Sequence, residues 1–323
     1  MFARLATRLL AGIGVVLGVI VLTFVLLHVA PGDPVSLMLG PTATVAQLAA
    51  QRRALDLDKP LPSQFASWVD RFARGDWGTS IAKGRPVRAV LGAAWPATVR
   101  LVALSLLLSY LIGLIVGVIQ AARSGSHTDT LLSVTSVTLF AVPGYWLALM
   151  LVLVFTYWAR ALPAFGAAGF DSDFLTGRAL IADRLRHLAL PLATLTLIGI
   201  GGAARFVRGA MLETLHQPFI TTAQAKGLSR RRVVGYHALR NALTPVVTLL
   251  GLSLPALFSG AVFVEAVFAW PGVGRVLVEA VQARDYPVVM AATAVSAVLV
   301  VAGNILADLL AAWLDPRVRS ASA

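Results

Sequence analysis

Three lysines and five histidines are the residues with which this chain could hold a phosphate or a metal, and neither set has the spacing. Lys59, Lys83 and Lys226 precede Pro60, Gly84 and Gly227. None closes the Gly-x-x-x-x-Gly-Lys-Ser/Thr loop whose backbone amides cradle nucleotide phosphates. His28, His127, His187, His216 and His237 include no i, i+4 pair and no His-Glu-x-x-His, the spacing that sets two imidazoles on one helix face around zinc. Cysteine is absent, which removes disulfides and thiolate metal sites. No Gly-x-Ser-x-Gly elbow presents a nucleophile. The expectation is a chain that is not an enzyme, with no catalytic residue, no metal ligand and no cofactor of its own.

The stretch with the most specific pattern is Thr221-Thr222-Ala223-Gln224-Ala225-Lys226-Gly227-Leu228-Ser229, followed by Arg230, Arg231 and Arg232. Pro218 suits a first helical turn, Ala223 and Ala225 favour helix, and Gly227 is a natural stop. Ser229 can cap a second helix running toward Arg240. The spacing predicts a short helix, a glycine corner and a basic helix. Small alanine side chains would let such a helix dock into a partner's groove. A basic loop that only sets topology is the alternative, and Lys226 and Arg230–Arg232 serve either use: pairing with acids on a partner, or anchoring at the membrane face.

Around this loop the chain is apolar: 58% hydrophobic and 13% charged, with mean hydropathy +0.81. A soluble domain carries about 25% charged residues. Cutting at charges leaves six long windows, enclosing 24 residues between Arg8 and Asp33, 22 between Arg100 and Arg123, 30 between Asp129 and Arg160, 18 between Arg186 and Arg205, 24 between Arg240 and Glu265, and 22 between Asp285 and Asp308. A helix needs about 20 apolar residues to cross the hydrocarbon core. The windows predict an all-α integral membrane protein with six transmembrane helices. The first is too long for a signal peptide and is read as a retained anchor. The fourth is the shortest and holds Pro191 and the Gly199–Gly202 cluster, so an irregular helix is expected there. Pro143-Gly144 and Pro255 predict kinks. Gly14-x-x-x-Gly18 and Gly113-x-x-x-Gly117 predict close helix approaches, and Asn304 an interhelical hydrogen bond. Charges sit only at window ends, which argues against a proton relay or a charged pore.

The net charge of +12 falls between apolar runs, which suits topology signals rather than nucleic acid. The segment around Arg205–Arg240 carries seven basic residues and one acid, so the positive-inside rule puts it in the cytoplasm, with both termini. The long segment after the first window is then outside. There Ser63 is expected to cap a helix with Phe65, Trp68, Val69 and Phe72 on one face, packed on its own protein, on a partner or on the membrane. Gly75-Asp76-Trp77-Gly78 is expected to end it as a turn. The organisation reads as residues 1–29, the N-terminal end and first span; 30–97, the outside loop; 98–312, a five-helix core with a cytoplasmic loop at about 209–240; and 313–323, a cytoplasmic tail.

The stretch from Thr221 to Gly227 resembles the cytoplasmic motif of ABC-importer permeases, Glu-Ala-Ala then three residues then Gly. Thr221 and Thr222 stand where Glu and the first Ala usually stand; Ala223 and Gly227 match. Ala225-Lys226-Gly227-Leu228-Ser229, then His237-Ala238-Leu239-Arg240-Asn241-Ala242-Leu243 and Pro245, resembles the dipeptide/oligopeptide subgroup. So do Ala30-Pro31-Gly32-Asp33-Pro34-Val35, Leu57-Asp58-Lys59-Pro60-Leu61, Gly75-Asp76-Trp77-Gly78-Thr79-Ser80 and Trp95-Pro96-Ala97-Thr98. Val264-Glu265-Ala266-Val267-Phe268, Trp270-Pro271-Gly272-Val273-Gly274, Arg284-Asp285-Tyr286-Pro287 and Asp315-Pro316-Arg317-Val318-Arg319 complete the series. The resemblance implies a type I importer permease in the bacterial inner membrane, paired with a second permease subunit, two ATPase subunits that bind ATP and Mg, and an extracytoplasmic substrate-binding protein. It implies a coupling helix at Thr221–Arg230 and alternating access. Pro271-Gly272, flanked by Glu265 and Phe268, breaks the chain between two spans and is expected near the outer gate, with a plain outer-face turn as the alternative. The implied cargo is a di- or oligopeptide, with nickel or glutathione as alternatives in the same family. An autonomous channel or a membrane-embedded enzyme is the rival from another class, and no pore ring or catalytic constellation supports it.

Overall fold

The computed structural model describes residues 2–29, 34–40, 42–54 and 57–314. The side chains of residues 2–6, 34, 37–38, 54, 247–248, 250–252, 254–260, 306–308 and 310–314 fall outside that description. Most of the motif beginning at Ala30, the motif beginning at Asp315 and the side chain of Pro255 therefore lie outside the described residues.

The regular structure among the described residues is helical, apart from one isolated bridge between Thr79 and Pro86. The helices run α1 (Phe2–Val29), α2 (Pro34–Leu39), α3 (Val45–Ala54), α4 (Leu61–Ala73), α5 (Val87–Ala122), α6 (His127–Ala141) and α7 (Gly144–Val152). There follow α8 (Gly177–Leu215), α9 (Pro218–Ala225), α10 (Arg230–Arg232), α11 (Leu239–Val267), α12 (Val273–Gln282) and α13 (Tyr286–Leu314). Two π-helical turns, Leu153–Trp158 and Val233–Ala238, extend α7 and lead into α11.

Among the described residues four helices are long and apolar enough to cross a membrane: Thr7–Val29, Val87–Ala122, Gly177–Leu215 and Tyr286–Ile305. The third window is a broken pair, His127–Ala141 and Gly144–Trp158, bent by 102°. The expected kink at Pro143-Gly144 is there, and it is larger than a proline kink alone. Val142 and Pro143 are extended (ψ 129° and 131°), so the helix stops and restarts. The fifth window lies on α11, a 29-residue helix.

The chain forms two compact units, Met1–Ala97 with Gly272–Val301, and Thr98–Pro271 with Ala302–Ala323. In the first, α4 lays Phe65, Trp68 and Phe72 against Ile20, Phe24 and Met290. Its apolar face thus serves the protein's own packing. Ser63 is not its cap: the helix starts at Leu61 behind Pro60, whose fixed φ suits the entry, and no side chain caps it. Gly75 and Gly78 close the following turn at φ 85° and 77°. Gly12, rather than Gly14 or Gly18, makes the close approach here: a Cβ on it would lie 2.5 Å from Val301 Cγ1.

In the second unit α8 is the central element, packed on α6, α7 and α11. The fourth window is therefore not irregular; it is one continuous 39-residue helix with Pro191 inside. Its modest hydropathy reflects burial against protein instead of lipid. A Cβ on Gly199 would meet Ser109 Oγ at 2.3 Å, and one on Gly201 would meet the Ser136 carbonyl oxygen at 2.6 Å. Gly113 and Gly117 of α5 make the expected approach: their added Cβ atoms would lie 2.6 Å from Ala203 Cβ and 2.7 Å from the Ala204 carbonyl oxygen. Asn304 makes no side-chain hydrogen bond among the described residues.

Candidate functional site

The loop picked out by its alanines and glycine folds as a short helix with a formed corner. Gln217 is extended, Pro218 occupies the first turn, and α9 runs to Ala225. Gly227 then adopts φ 77°. Its N–H donates to the Gln224 carbonyl (2.9 Å), and the Leu228 N–H donates to the Ala223 carbonyl (3.3 Å). This is the paired closure of a Schellman motif, with glycine at the left-handed position. Ser229 stands at the next N-cap with ψ 146°, without a side-chain cap bond. The basic helix does not end near Arg240; it runs through the π-turn into α11.

The loop is seated on its own unit. Ile220 and Ala223 are buried with Val207, Met211, Val233 and Ala238. Ala223 is 7% exposed, so its small side chain is required by internal packing, and a docking partner would not touch it. Thr221, Thr222, Ala225, Lys226, Gly227, Ser229 and Arg230 are exposed, and Leu228 is half-buried. Arg230 Nη2 donates to the Ala122 carbonyl at 2.7 Å, satisfying one of the orphan acceptors at the end of α5. Beside it, Arg208 of α8 grips Asp129 at the start of α6 in a bidentate pair, Nε–Oδ1 2.8 Å and Nη2–Oδ2 2.9 Å. The Gly125 N–H and the Ser133 hydroxyl also donate to that carboxylate. The segment that follows the Gly227 corner is thus tied to the end of α5 through Arg230, while the turn that follows α5 is tied to α8. The Asp129–Arg208 clamp spans 79 residues, and no local pattern announces it.

Of the residues expected at a gate, Glu265, Phe268 and Gly272 are buried and Pro271 is exposed. Glu265 is fully buried and accepts a hydrogen bond from Thr98 Oγ1 at 2.6 Å. Phe268 is 1% exposed, and its carbonyl accepts from the Gly166 N–H at 2.9 Å. Pro271 is exposed and Gly272 buried. Ala269 holds a positive φ of 49°, which turns the chain sharply after α11.

A third constellation went unread in the sequence. Asp285 is 1% exposed and receives the loop between Thr79 and Pro86. The Ser80 hydroxyl donates to Oδ2, the Ile81 N–H to Oδ1 at 3.1 Å, and the Ala82 N–H to Oδ2 at 3.2 Å. Nearby, Glu279 takes Lys83 Nζ at 3.2 Å and Arg275 Nε at 2.7 Å. Partial burial would raise the Glu279 carboxyl, but these hydrogen bonds and charges outweigh it and hold the group below its ordinary value.

Residues 109–320 match the family described as binding-protein-dependent transport system inner membrane component. Residues 1–102 match the N-terminal family of the same membrane components. The oligopeptide transport system permease protein AppB of Bacillus subtilis is 39% identical over 319 residues, covering 98% of this chain and 99% of that protein. The di/tripeptide transport system permease protein DppB of Pseudomonas aeruginosa is 38% identical over 333 residues, covering 99% of each. A chain of the MetNI methionine ABC transporter in inward-facing conformations superposes with TM-score 0.54 at 18% identity, over 71% of this chain and 98% of that one, which speaks to the fold. With its helical spans, its seated glycine-closed loop and a match over nearly its whole length, the chain belongs to the inner-membrane permease components of binding-protein-dependent ABC importers.

Proposed function

We propose that this permease carries peptides, and that α9 is the element through which separate ATPase subunits drive it. The peptide reading rests on relatives that include oligopeptide and di/tripeptide permeases, matched end to end. The observation that carries the coupling reading is the helix Pro218–Ala225: exposed on Thr221, Thr222 and Ala225, closed by Gly227 at φ 77°, and braced from beneath by buried Ile220 and Ala223. A protruding helix that is rigidly backed can transmit a push. Two such permeases, two ATPases consuming ATP and a binding protein outside the membrane make the working importer, with both termini and the α9 loop on the cytoplasmic side. ATPase closure then tips the permease pair between inward-open and outward-open states as rigid bodies. The turn bearing Glu265, Phe268 and Pro271 lies at the outer mouth in this topology, as buried support for a gate.

The test uses the assembled importer. Gly227→Val forces a β-branched residue into a left-handed conformation, at about 1–3 kcal/mol, and Ala225→Trp adds bulk on the exposed face. Both should insert and pair with the second permease, yet lose peptide uptake together with ATPase association. Wild-type uptake and wild-type ATPase stimulation in the double variant would overturn the assignment.

A further inference from the structure

Two arginines that end neighbouring apolar windows meet at one cavity. Arg160 closes the window that began at Asp129, and Arg186 opens the next. A charge at the end of an apolar window sits where hydrocarbon gives way to headgroups. Both side chains line an open cavity of about 360 Å³, with Thr156, Asp183 and His187 on its walls. Neither guanidinium has an ion pair or side-chain hydrogen bond among the described residues.

Three further features coincide at this place. First, the Thr156 hydroxyl, like that of Thr196 on α8, is buried without a hydrogen-bond partner among the described residues. Thr135, Thr194 and Thr214, also within helices, return their hydroxyls to the carbonyl four residues back. Thr156 lies in the π-turn Leu153–Trp158, and π-turns concentrate at functional sites. Second, Arg160 itself holds φ 50°, a strained conformation for a residue with a side chain. Third, the acid on the cavity wall, Asp183, is already engaged. Asp183 Oδ2 accepts the Gly169 N–H at 2.9 Å, and Oδ1 lies 3.4 Å from His187 Nδ1. His187 Nδ1 also donates to the Asp183 carbonyl at 2.9 Å, which leaves Nε2 unprotonated in the neutral ring.

The cavity therefore presents two unpaired guanidiniums and an unpaired hydroxyl against one occupied carboxylate. That donor set fits a tetrahedral oxyanion, since guanidinium forks pair with phosphate oxygens and a hydroxyl donates to a third. Its depth decides which oxyanion. Tyr157 and Trp158, on the same π-turn, are 64% and 73% exposed, and exposed Trp and Tyr mark the headgroup layer. We propose that Arg160, Arg186 and Thr156 bind the phosphodiester of a phospholipid at the membrane boundary, with Tyr157 and Trp158 beside its glycerol and upper acyl region.

Phosphatidylglycerol is the probe. The full chain is delipidated in detergent and titrated with it, and bound lipid is counted by native mass spectrometry. One tight lipid is expected on the wild type. R160Q/R186Q should bind it at least about tenfold more weakly, because two charge-assisted contacts are lost. R160K/R186K should recover part of the loss, which a purely structural role would not predict. T156V, which keeps volume and fold, should weaken binding by a few-fold as well. R52Q/R53Q, on α3, should bind as the wild type does. Equal lipid retention in R160Q/R186Q and wild type overturns the proposal. So does displacement of the lipid by an equal concentration of inorganic phosphate, which would mark a site for free anions.

Discussion

Replacing Asp285 by alanine should free the loop between Thr79 and Pro86 without unfolding the spans. Asp285 is buried and takes the Ser80 hydroxyl, the Ile81 N–H and the Ala82 N–H. Alanine leaves those three donors without their acceptor. A buried donor left unsatisfied costs about 1–3 kcal/mol. The loop can rotate its donors toward water, so the lower end applies to each, and a total of about 3 kcal/mol follows. That corresponds to roughly hundredfold faster local opening, at about 1.4 kcal/mol per decade. Hydrogen exchange read by mass spectrometry on peptides covering residues 78–88 measures it directly. Asp285→Asn keeps one acceptor oxygen and should fall between alanine and wild type. Peptides from α8, in the other unit, serve as the internal control and should exchange at the wild-type rate. If Asp285→Ala leaves exchange at Ile81 and Ala82 unchanged, those hydrogen bonds do not hold the loop and the reasoning fails.

Three further outcomes are expected. Gly117→Ala places a methyl 2.7 Å from the Ala204 carbonyl and against Val207; it should lower the thermal midpoint by a cost of about 1–3 kcal/mol, whereas Gly14→Ala, with open space around it, should not. For topology, the chain is free of cysteine, so exposed Ser63 and Ser229 can each be made the single thiol; Ser63→Cys should react with an impermeant reagent from outside and Ser229→Cys only after permeabilisation, and the reverse pattern would invert the orientation. Ser80 is unsuitable for this, being buried on Asp285. Glu279 has a lowered folded pKa, so its contribution to stability is present above the ordinary carboxylate value and is lost as pH falls through the lowered one; the thermal midpoints of wild type and Glu279→Gln should differ slightly at neutral pH and converge in acid.

The local sequence was sufficient for whatever depends on neighbours along the chain. Apolar windows bounded by charges mark helices that must satisfy their backbone within lipid, whatever they pack against. Gly227 at the end of an alanine-bearing helix marks a left-handed corner, because only glycine takes that conformation without strain. The break at Pro143-Gly144 was legible for the same reason, although its 102° angle was not. Tertiary packing decided the rest. The fourth window read as weak because it is the shortest and holds Pro191 and a glycine cluster, yet α8 is the most enclosed of the four spanning helices, and its glycines admit Ser109 and the Ser136 carbonyl. Ala223 read as a docking surface, but the turn of α9 points it into the core. Asp285 meets Ser80 across 205 residues, Glu265 meets Thr98 across 167, and Arg208 meets Asp129 across 79. Asp285, Glu265 and Asp129 stand at the ends of apolar windows, and Arg208 lies just beyond one. Whether such a charge faces water or closes on a partner depends on which helix ends the fold brings together, and spacing along one chain carries no record of that.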